Sequence, residues 1–149
     1  MFRGVSQLSV DAKGRIAVPA RYRDALSEDC NGHMVITVDR DGCLLLYPAP
    51  EWERIEQALM SRPNINSHVR KLQRLLVGHA TECDLDGQGR LLLPPPLREF
   101  AGLSKRVVLV GQGNKFEIWD EDTWSRNREL WFGEDADDAL SEALESIAL

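Results

Sequence analysis

The chain has 149 residues, of which 43% are hydrophobic and 28% are charged, and its formal net charge at pH 7 is −6. This length suits one ordinary domain or two small modules that share a core, and the composition is typical of a folded chain. The longest apolar runs, CLLLY and RVVLV, are too short to span a bilayer, and the start MFRGVSQLSV lacks the apolar core of a secretory signal peptide. We therefore expect a cytoplasmic protein.

The charges are distributed unevenly along the chain. Residues 1–25 contain two acidic side chains against five basic ones, which are Arg3, Lys13, Arg15, Arg21 and Arg23. Residues 117–149 contain eleven acidic side chains against Arg126 and Arg128. The negative net charge alone argues against a nucleic-acid partner. The local sign of charge decides what a surface binds, however, so the basic N-terminal region keeps that partner open.

The first predicted elements surround the stretch DAKGR. Residues 7–10 predict a short strand that enters a turn, and residues 16–18 predict the strand that leaves it. Asp11 opens this turn, and Gly14 supplies the positive φ that a tight hairpin requires. Pro19 then ends the second strand and stands near the start of a short helix, ARYRDAL. The sequence thus predicts a β-hairpin followed by a helix.

Two more strands and two more helices complete the first half. The runs MVITVD and GCLLLYP predict strands joined by an Asp-Gly turn. The segments PEWERIEQALMS and NINSHVRKLQRLLVGHA predict helices. In the second segment the residues at helical spacing are Val69, Leu72, Leu75, Leu76 and His79.

The second half of the chain repeats the first. Residues 8–26, LSVDAKGRIAVPARYRDAL, align with residues 83–101, CDLDGQGRLLLPPPLREFA, at an offset of 75. The matched residues are Asp11 with Asp86, Gly14 with Gly89, Arg15 with Arg90, Pro19 with Pro94 and Arg23 with Arg98. At a later offset of 72, RVVLVG, KFEIWD and EDTWSRNRELWFG predict two strands and a helix capped by Asp122 or Thr123. Identities at the residues that form the turns and precede the helices indicate an internal duplication.

These elements predict an α+β fold with a pseudo-twofold axis. A unit of about 45 residues buries too little apolar surface alone, so two units are expected to pack face to face as a β-barrel-like body with short flanking helices. The predicted parts are a first module at 5–52, a helical linker at 53–81, a second module at 82–126 and an acidic C-terminal tail at 127–149. The last segment, DADDALSEALESIAL, suits a weak helix or a mobile tail, and we favour the tail.

Three interpretations of the paired D-x-x-G-R turns are open. In the first, Asp and Arg pair across each turn and only stabilise it, by about 0–1 kcal/mol for a surface pair. In the second, Asp11 and Asp86 meet as a catalytic carboxylate dyad that shares a proton. The following residues, Ala12 and Gly87, offer none of the hydroxyl donors of such a dyad, and no phosphate loop or nucleophile elbow occurs elsewhere. The sequence therefore predicts that the protein is not an enzyme.

Metal and cofactor sites are not expected either. The three cysteines, Cys30, Cys43 and Cys83, form no C-x-x-C pair, and the three histidines are scattered along the chain. This pattern is typical of buried, reduced thiols rather than of a disulfide framework or a zinc site.

The third interpretation is a DNA-binding surface. Lys13 and Arg15 are two residues apart and therefore point the same way from an extended hairpin. A protruding two-stranded ribbon fits the major groove, where Arg grips guanine O6 and N7 while neighbouring cations contact phosphates. The predicted DNA-binding residues are Arg3, Lys13, Arg15, Arg21, Arg23 and Arg90, and the predicted turn residues are Asp11, Gly14, Asp86 and Gly89. Because Gln88 and Pro96 replace Lys13 and Arg21 in the second unit, the first unit is expected to lead in DNA binding and the second mainly to support the fold.

Several motifs together resemble the MraZ family. They are MFRG, both D-x-x-G-R turns, VPARYR, LLLYPAPEWE, QRLLVGHATECDLDGQGRLLLP and LVGQGNKFEIWD, and they cover most of residues 1–124. The resemblance implies two AbrB-like (SpoVT-AbrB) modules with a swapped-hairpin fold. It also implies that the D-x-x-x-R motif, here at residues 11–15 and 86–90, carries DNA binding.

The same resemblance implies a function. It is that of a sequence-specific DNA-binding transcriptional regulator, expected to be a repressor, of the division and cell-wall gene cluster. The implied partners are double-stranded DNA, at short direct repeats in the protein's own promoter, and further copies of the chain in a ring-like homo-oligomer. The resemblance further implies association with the nucleoid, and we expect no small-molecule substrate. The alternative is a ring-forming interaction scaffold whose DNA contact is incidental.

Overall fold

In the described part of the chain, each half contains four strands with helices between and after them. The computed structural model describes residues 1–133 and 138–147. In the first half the elements are β1 (Phe2–Ser9), β2 (Arg15–Ala17), α1 (Ala20–Cys30), β3 (His33–Val38), β4 (Leu44–Pro48), α2 (Ala49–Met60) and α3 (Ser67–Leu72), which continues as a π-helical turn (Gln73–Val77). In the second half they are β5 (Thr81–Asp84), β6 (Arg90–Leu92), α4 (Pro95–Phe100), β7 (Arg106–Gly113), β8 (Phe116–Asp120), α5 (Glu121–Phe132) and α6 (Asp138–Ile147). The fold is therefore α+β.

The strands form two antiparallel sheets, and both sheets combine the two halves of the chain. The large sheet has six strands in the order β1-β7-β8-β4-β3-β5, and the small sheet pairs β2 with β6. Each strand of the first half has an equivalent in the second: β1 and β5, β2 and β6, β3 and β7, β4 and β8. Exchanging the equivalents leaves both strand orders unchanged, so the strand pairing is pseudo-twofold.

Strand pairing differs from the prediction at the D-x-x-G-R turns. The first turn closes, because the Asp11 N–H donates to the Arg15 carbonyl at 2.9 Å and the Gly14 N–H donates to the Asp11 carbonyl at 3.0 Å. Beyond the turn, however, β1 pairs with β7 and β2 pairs with β6, so the predicted ladder between the two strands of one hairpin is wrong. Hydrophobic alternation specifies which face of a strand is buried, but it does not specify which strand lies beside it.

The predicted β-barrel-like body is also wrong. A barrel closes when its first and last strands pair, whereas β1 and β5 are the two edges of the large sheet and do not pair with each other in the described part of the chain. The two units do not pack face to face as separate bodies. They interleave, because the first strand of each half pairs with the third strand of the other.

The main hydrophobic core lies between the large sheet and a layer formed by β2, β6, α1 and α4. Buried side chains from all of these elements meet in it, among them Ile16, Leu26, Leu91, Leu97 and Phe116. The opposite face of the large sheet is covered in two places. Trp52 of α2 packs with Val35, Leu45 and Tyr47, and Trp124 of α5 packs with Val108, Val110 and Trp119. Burial on both faces explains why the central strands are continuous apolar runs.

The helices begin close to the predicted positions, with one difference in capping. Pro19 and Pro94 immediately precede α1 and α4. α5 begins after Asp120, whose carboxylate accepts a hydrogen bond from the Thr123 N–H at 3.4 Å. The predicted caps, Asp122 and Thr123, are therefore wrong, because the strand β8 ends at Asp120 and the helix follows it directly.

The C-terminal region is helical where it is described. Residues 138–147 form α6, which is the helical alternative for this segment, and residues 134–137 and 148–149 of the predicted tail lie outside the described residues. Leu140, Leu144 and Ile147 recur at helical spacing, and this period outweighs the acidic composition. The predicted boundary at residue 127 falls inside α5. Among the described residues, no helix is both long enough and apolar enough to cross a membrane.

Candidate nucleic-acid interface

The first D-x-x-G-R turn is held by the side chain of its aspartate. Asp11 Oδ1 accepts hydrogen bonds from the backbone N–H groups of Lys13 at 2.9 Å and Arg15 at 2.8 Å. Asp11 Oδ2 accepts from Arg15 Nε at 2.8 Å. The carboxylate thus fixes both the backbone of the turn and the direction of the arginine side chain. The two terminal nitrogens of that guanidinium have no hydrogen-bond partner among the described residues, so they can bind a ligand.

The second turn has the same geometry. Asp86 Oδ1 accepts from the N–H groups of Gln88 and Arg90, both at 2.9 Å, and Asp86 Oδ2 accepts from Arg90 Nε at 2.8 Å. The internal repeat is therefore a repeat of hydrogen bonds as well as of residues. The pairing of Asp and Arg within each turn agrees with the structural interpretation of the motif, and it leaves a binding role for the arginines open.

Both turn carboxylates have a lowered pKa. The largest cause for Asp11 is the backbone hydrogen bond from Arg15, and the largest cause for Asp86 is the backbone hydrogen bond from Arg90. A catalytic dyad with a shared proton raises the pKa of one of its two carboxyls. Neither pKa is raised here, so the two aspartates act as ionised partners of their own turns.

The ribbon formed by β2 and β6 has one buried face and one exposed face. In its register Arg15 lies opposite Leu92, Ile16 lies opposite Leu91, and Ala17 lies opposite Arg90. Side chains alternate along a strand, and directly opposite residues share a face. Ile16 and Leu91 are completely buried in the core. The outer face therefore carries Arg15, Ala17, Arg90 and Leu92, and we call these four residues the arginine face.

The two turns lie at opposite ends of this ribbon and are tied to the opposite strand. The Val18 N–H donates to the Gly89 carbonyl, and the Leu93 N–H donates to the Gly14 carbonyl, both at 2.9 Å. Each half of the chain therefore contributes one strand, one turn and one arginine to a single surface. The sequence predicted a ribbon made from one hairpin, and that prediction is wrong, because the ribbon combines one strand from each half.

Two further arginines, Arg23 and Arg98, pack against the glycines of the two turns. A Cβ at Gly14 would lie 2.8 Å from Arg98 Cζ, and a Cβ at Gly89 would overlap the side chain of Arg23. Each of these arginines therefore packs against the turn glycine of the other half. Arg23 Nε also donates to the Val18 carbonyl at 2.6 Å. Arg23 is thus half-buried in the support of the turns, and its predicted contact with DNA stays a prediction.

Arg3 and Arg21 form a second basic group, on β1 and α1. Arg21 Nη2 donates to Ser6 Oγ at 2.6 Å and to the Tyr22 hydroxyl at 3.0 Å, and its guanidinium carbon lies 4.7 Å from the centre of the Tyr22 ring. The Tyr22 hydroxyl donates to the Arg3 carbonyl. The side chains of Arg3 and Arg21 are exposed. The structure therefore joins these two predicted residues to each other through Tyr22.

Lys13 makes the two turns unequal in charge. Its side chain is exposed and has no ion pair among the described residues. The equivalent residue in the second turn is Gln88. The first turn therefore has one more positive charge at the surface.

The remaining reactive groups lie elsewhere. The three cysteines are free and buried, as the sequence predicts, and burial raises the pKa of the Cys83 thiol to about 12. Asp39, Cys43 and Glu117 have possible metal-ligand atoms within 4.8 Å of one another. The Cys43 thiol donates to Asp39 Oδ2 at 3.5 Å, and Glu117 Oε1 accepts from Trp119 Nε1 at 3.0 Å. These three side chains could hold a cation, although the Cys43 thiol and one oxygen of each carboxylate already take part in hydrogen bonds.

A cavity beside β3, β5 and α2 is acidic. It has a volume of about 580 Å³, and its lining includes Glu53, Glu56, Glu82 and Asp84. Four carboxylates repel a phosphate backbone. The lining of this cavity is therefore unsuited to a phosphate backbone.

Sequence reasoning missed the partnership of Arg15 and Arg90 on one face, and with it Ala17 and Leu92. It treated the two turns as separate hairpins. The matched pattern in RIA and RLL, where one buried apolar residue follows each arginine, places each arginine on the outer face of its own strand, but it does not show that the two strands pair.

Comparison with known proteins agrees with the resemblance seen in the motifs. The family model described as "MraZ protein, putative antitoxin-like" matches residues 1–75 and 76–140. A protein of Thioalkalivibrio sulfidiphilus named transcriptional regulator MraZ is 71% identical over 150 residues, which is 100% of both chains. Relatives with the same name are 60% identical in Methylococcus capsulatus, over 90% of this chain and 88% of the relative, and 57% identical in Halorhodospira halophila, over 100% of both. The chain belongs to the MraZ family.

Proposed function

We propose that this protein is a sequence-specific DNA-binding transcriptional regulator and that the arginine face is its reading surface. The supporting observation is that two arginines, each held at Nε by its own turn aspartate, lie on one exposed face of a two-stranded ribbon. The names of the relatives support transcriptional regulation. Two-stranded ribbons are among the elements that the major groove of B-DNA admits.

The geometry of each arginine suits a guanine base. A guanidinium reads guanine with two parallel N–H donors directed at O6 and N7. In this protein Asp11 and Asp86 occupy the Nε side of the guanidinium groups and leave the terminal nitrogens for the ligand. Holding a long side chain in one orientation before binding reduces the entropy that binding would otherwise cost. Asp11 and Asp86 therefore act as positioning residues for the arginines.

The spacing of the two arginines suits neighbouring bases. Arg15 faces Leu92, and Arg90 lies two residues before Leu92, so the two arginines are diagonal neighbours. Diagonal neighbours in an antiparallel pair are about 7–8 Å apart, which is roughly two steps of about 3.4 Å along a DNA strand. The two arginines can thus read bases within one short site. Lys13, Arg3, Arg21 and Arg23 are proposed to contact phosphates.

The finer structural assignments belong to the same proposal. Interleaved strands from two equivalent halves suit the swapped-hairpin fold of AbrB-like modules, which we assign to residues 5–52 and 82–126, with 53–81 as the connection. We further propose a ring-like homo-oligomer in the cytoplasm, associated with the nucleoid. Its target is the promoter of its own gene in a division and cell-wall cluster, at short direct repeats, where it represses transcription. No catalysis is proposed.

The test is a fluorescence-anisotropy titration of a duplex from the region upstream of the protein's own gene. Arg15→Ala removes one bidentate contact, so we expect about a fivefold to hundredfold loss of affinity. Arg90→Ala is expected to cost less, because its turn lacks the additional charge of Lys13. Arg128→Ala removes the same charge from an exposed position on α5 and serves as the matched control.

The alternative, an interaction scaffold with incidental DNA contact, makes a different prediction for the same titration. Incidental binding depends on phosphates alone and is equal for the upstream duplex and a shuffled duplex of the same length. Specific regulators prefer their own site by about a thousandfold or more. Wild-type affinity in Arg15→Ala, or equal binding of both duplexes at 150 mM salt, a typical physiological value, would contradict the assignment of the arginine face.

A further inference from the structure

The arginine face contains one large apolar side chain that the fold does not bury. Leu92 is 54% exposed, whereas its neighbours Leu91 and Leu93 are completely buried. It lies directly opposite Arg15 and two residues after Arg90. Leu92 is therefore the only large apolar side chain on a surface that otherwise has two charged groups and Ala17.

The pseudo-twofold relation of the ribbon is broken at this residue. The equivalents Arg15 and Arg90 are identical, but the equivalent of Leu92 is Ala17. Both are exposed, so neither is required by packing in the core. The second half of the chain therefore contributes a large apolar side chain to the arginine face, whereas the first half contributes only the methyl group of Ala17 at the equivalent position.

We propose that Leu92 is a specificity-determining residue that contacts the 5-methyl group of a thymine next to a base read by Arg15 or Arg90. The proposal rests on the proposed function, because it assigns Leu92 to the same DNA-binding face. In the major groove the thymine methyl is the apolar feature of the base edges, and proteins recognise it through apolar contact. A branched side chain directly opposite one of these arginines and two residues from the other is placed to meet such a group.

A methyl contact has a definite signature. Deoxyuridine differs from thymidine only in lacking the 5-methyl group, and it keeps the same hydrogen-bonding groups. Loss of one buried methyl contact corresponds to a weakening of binding by about threefold to fivefold. An apolar contact between Leu92 and another protein chain would instead be insensitive to this change in the DNA.

The experiment uses the full-length protein and a short duplex carrying the segment that the protein protects upstream of its own gene. Deoxyuridine replaces thymidine one position at a time, and affinities are measured for wild type and for Leu92→Ala. For wild type we expect one position at which deoxyuridine weakens binding by about threefold to fivefold. Leu92→Ala should weaken binding of the thymidine duplex by a similar factor and lose the response to deoxyuridine at that position. The two losses should therefore not multiply.

Leu130→Ala is the matched control, because Leu130 is 73% exposed and lies on α5. It should keep the wild-type ratio of thymidine to deoxyuridine affinities. The melting curve and sedimentation mass of Leu92→Ala should match those of wild type. Tight wild-type binding that ignores every deoxyuridine substitution, or an unchanged methyl response in Leu92→Ala, overturns the role of Leu92 alone. Absence of any preference for the upstream duplex overturns the proposed function together with this inference.

Discussion

At the scale of single residues, the two turns depend on a few side chains that each make several contacts. Asp11 and Asp86 order the backbone and the arginine of their turns with the same carboxylate. Gly14 and Gly89 allow the arginine of the other half to pack directly on the turn. A change at one of these residues therefore alters both stability and the presentation of the arginine face.

Gly14→Ala tests this dependence. Gly14 has a φ of +85°, and a Cβ there would lie 2.8 Å from Arg98 Cζ, so both the backbone and the packed arginine must move. We expect a loss of about 1–3 kcal/mol in the free energy of unfolding, measured by urea denaturation. Gly87→Ala is the control, because a Cβ at Gly87 has nothing within 4 Å and the first turn already has Ala12 there. Its effect should stay within about 0.5 kcal/mol, and an equal loss in both variants would contradict the packing argument.

Glu117 predicts a dependence of stability on pH. Burial is the largest cause that raises the pKa of its carboxyl, and the charge of Asp39 adds to it. A carboxyl whose pKa is higher in the folded state than in the unfolded state binds its proton more tightly when folded. Its contribution to stability therefore falls as the pH rises from its unfolded pKa, about 4.3 for Glu, through its raised folded pKa.

The corresponding variant is Glu117→Gln, which keeps an acceptor for Trp119 Nε1 and removes the charge. We expect its melting temperature at pH 7 to exceed that of wild type, because glutamine removes a half-buried negative charge and its repulsion with Asp39. The increase should be only about 1–3 °C, because solvent screens part of the repulsion. The difference should shrink below about pH 4, where the carboxyl is protonated in both states. Scanning calorimetry at the two pH values measures it, and a lower melting temperature for Glu117→Gln at pH 7 would show that the charge is favourable.

At the scale of secondary structure elements, the boundaries are set by local chemistry. Pro19 and Pro94 end a strand and precede a helix in equivalent places. Asp120 joins two elements, because it ends β8 and its side chain caps α5. Its other carboxylate oxygen accepts from Ser104 Oγ at 2.9 Å, which ties the loop before β7 to the start of the helix.

Asp120→Ala should therefore cost about 1–2 kcal/mol in the free energy of unfolding, because it loses both a helix cap, typically worth about 1 kcal/mol, and the hydrogen bond from Ser104. Asp122→Ala is the matched control, because Asp122 is acidic and lies in the first turn of the same helix. It loses only a favourable interaction with the helix dipole, about 0.3–0.5 kcal/mol. Denaturant unfolding of both variants makes the comparison. A larger loss in Asp122→Ala would show that the helix begins later than Asp120.

At the scale of the whole molecule, the interleaving of the two halves makes them depend on each other. β1 pairs with β7, and β5 pairs with β3. The main core contains buried residues from both halves, for example Ile16 and Leu91 on the two strands of the ribbon. Neither half can bury its apolar residues or satisfy its strand edges by itself.

We therefore expect that neither fragment 1–75 nor fragment 76–149 forms a folded monomer. Each should be unfolded, or should pair with a second copy that supplies the missing strands. An equimolar mixture should recover the circular dichroism spectrum of the intact chain. Circular dichroism combined with sedimentation distinguishes these outcomes, and a compact, folded monomer of either fragment would show that a half is an independent domain.

The sequence by itself determined the local features of this protein. The strands, the turns at Asp11 and Asp86, the helix starts after Pro19 and Pro94 and the duplication all follow from alternation, turn chemistry and matching residues along the chain. The family also follows from its motifs. The strands, turns and helix starts need only contacts between residues that are close in sequence, so the residue types alone specify them.

Only the tertiary structure decided which strands pair and which arginines share a surface. Alternation shows that Ile16 and Leu91 face a core, but it is equally compatible with a hairpin of β1 and β2 and with a ribbon of β2 and β6. Pairing between residues about 75 positions apart depends on how both halves together bury their apolar faces, and no local pattern encodes it. For that reason the joint position of Arg15 and Arg90, and of Leu92 beside them, became visible only in the folded chain.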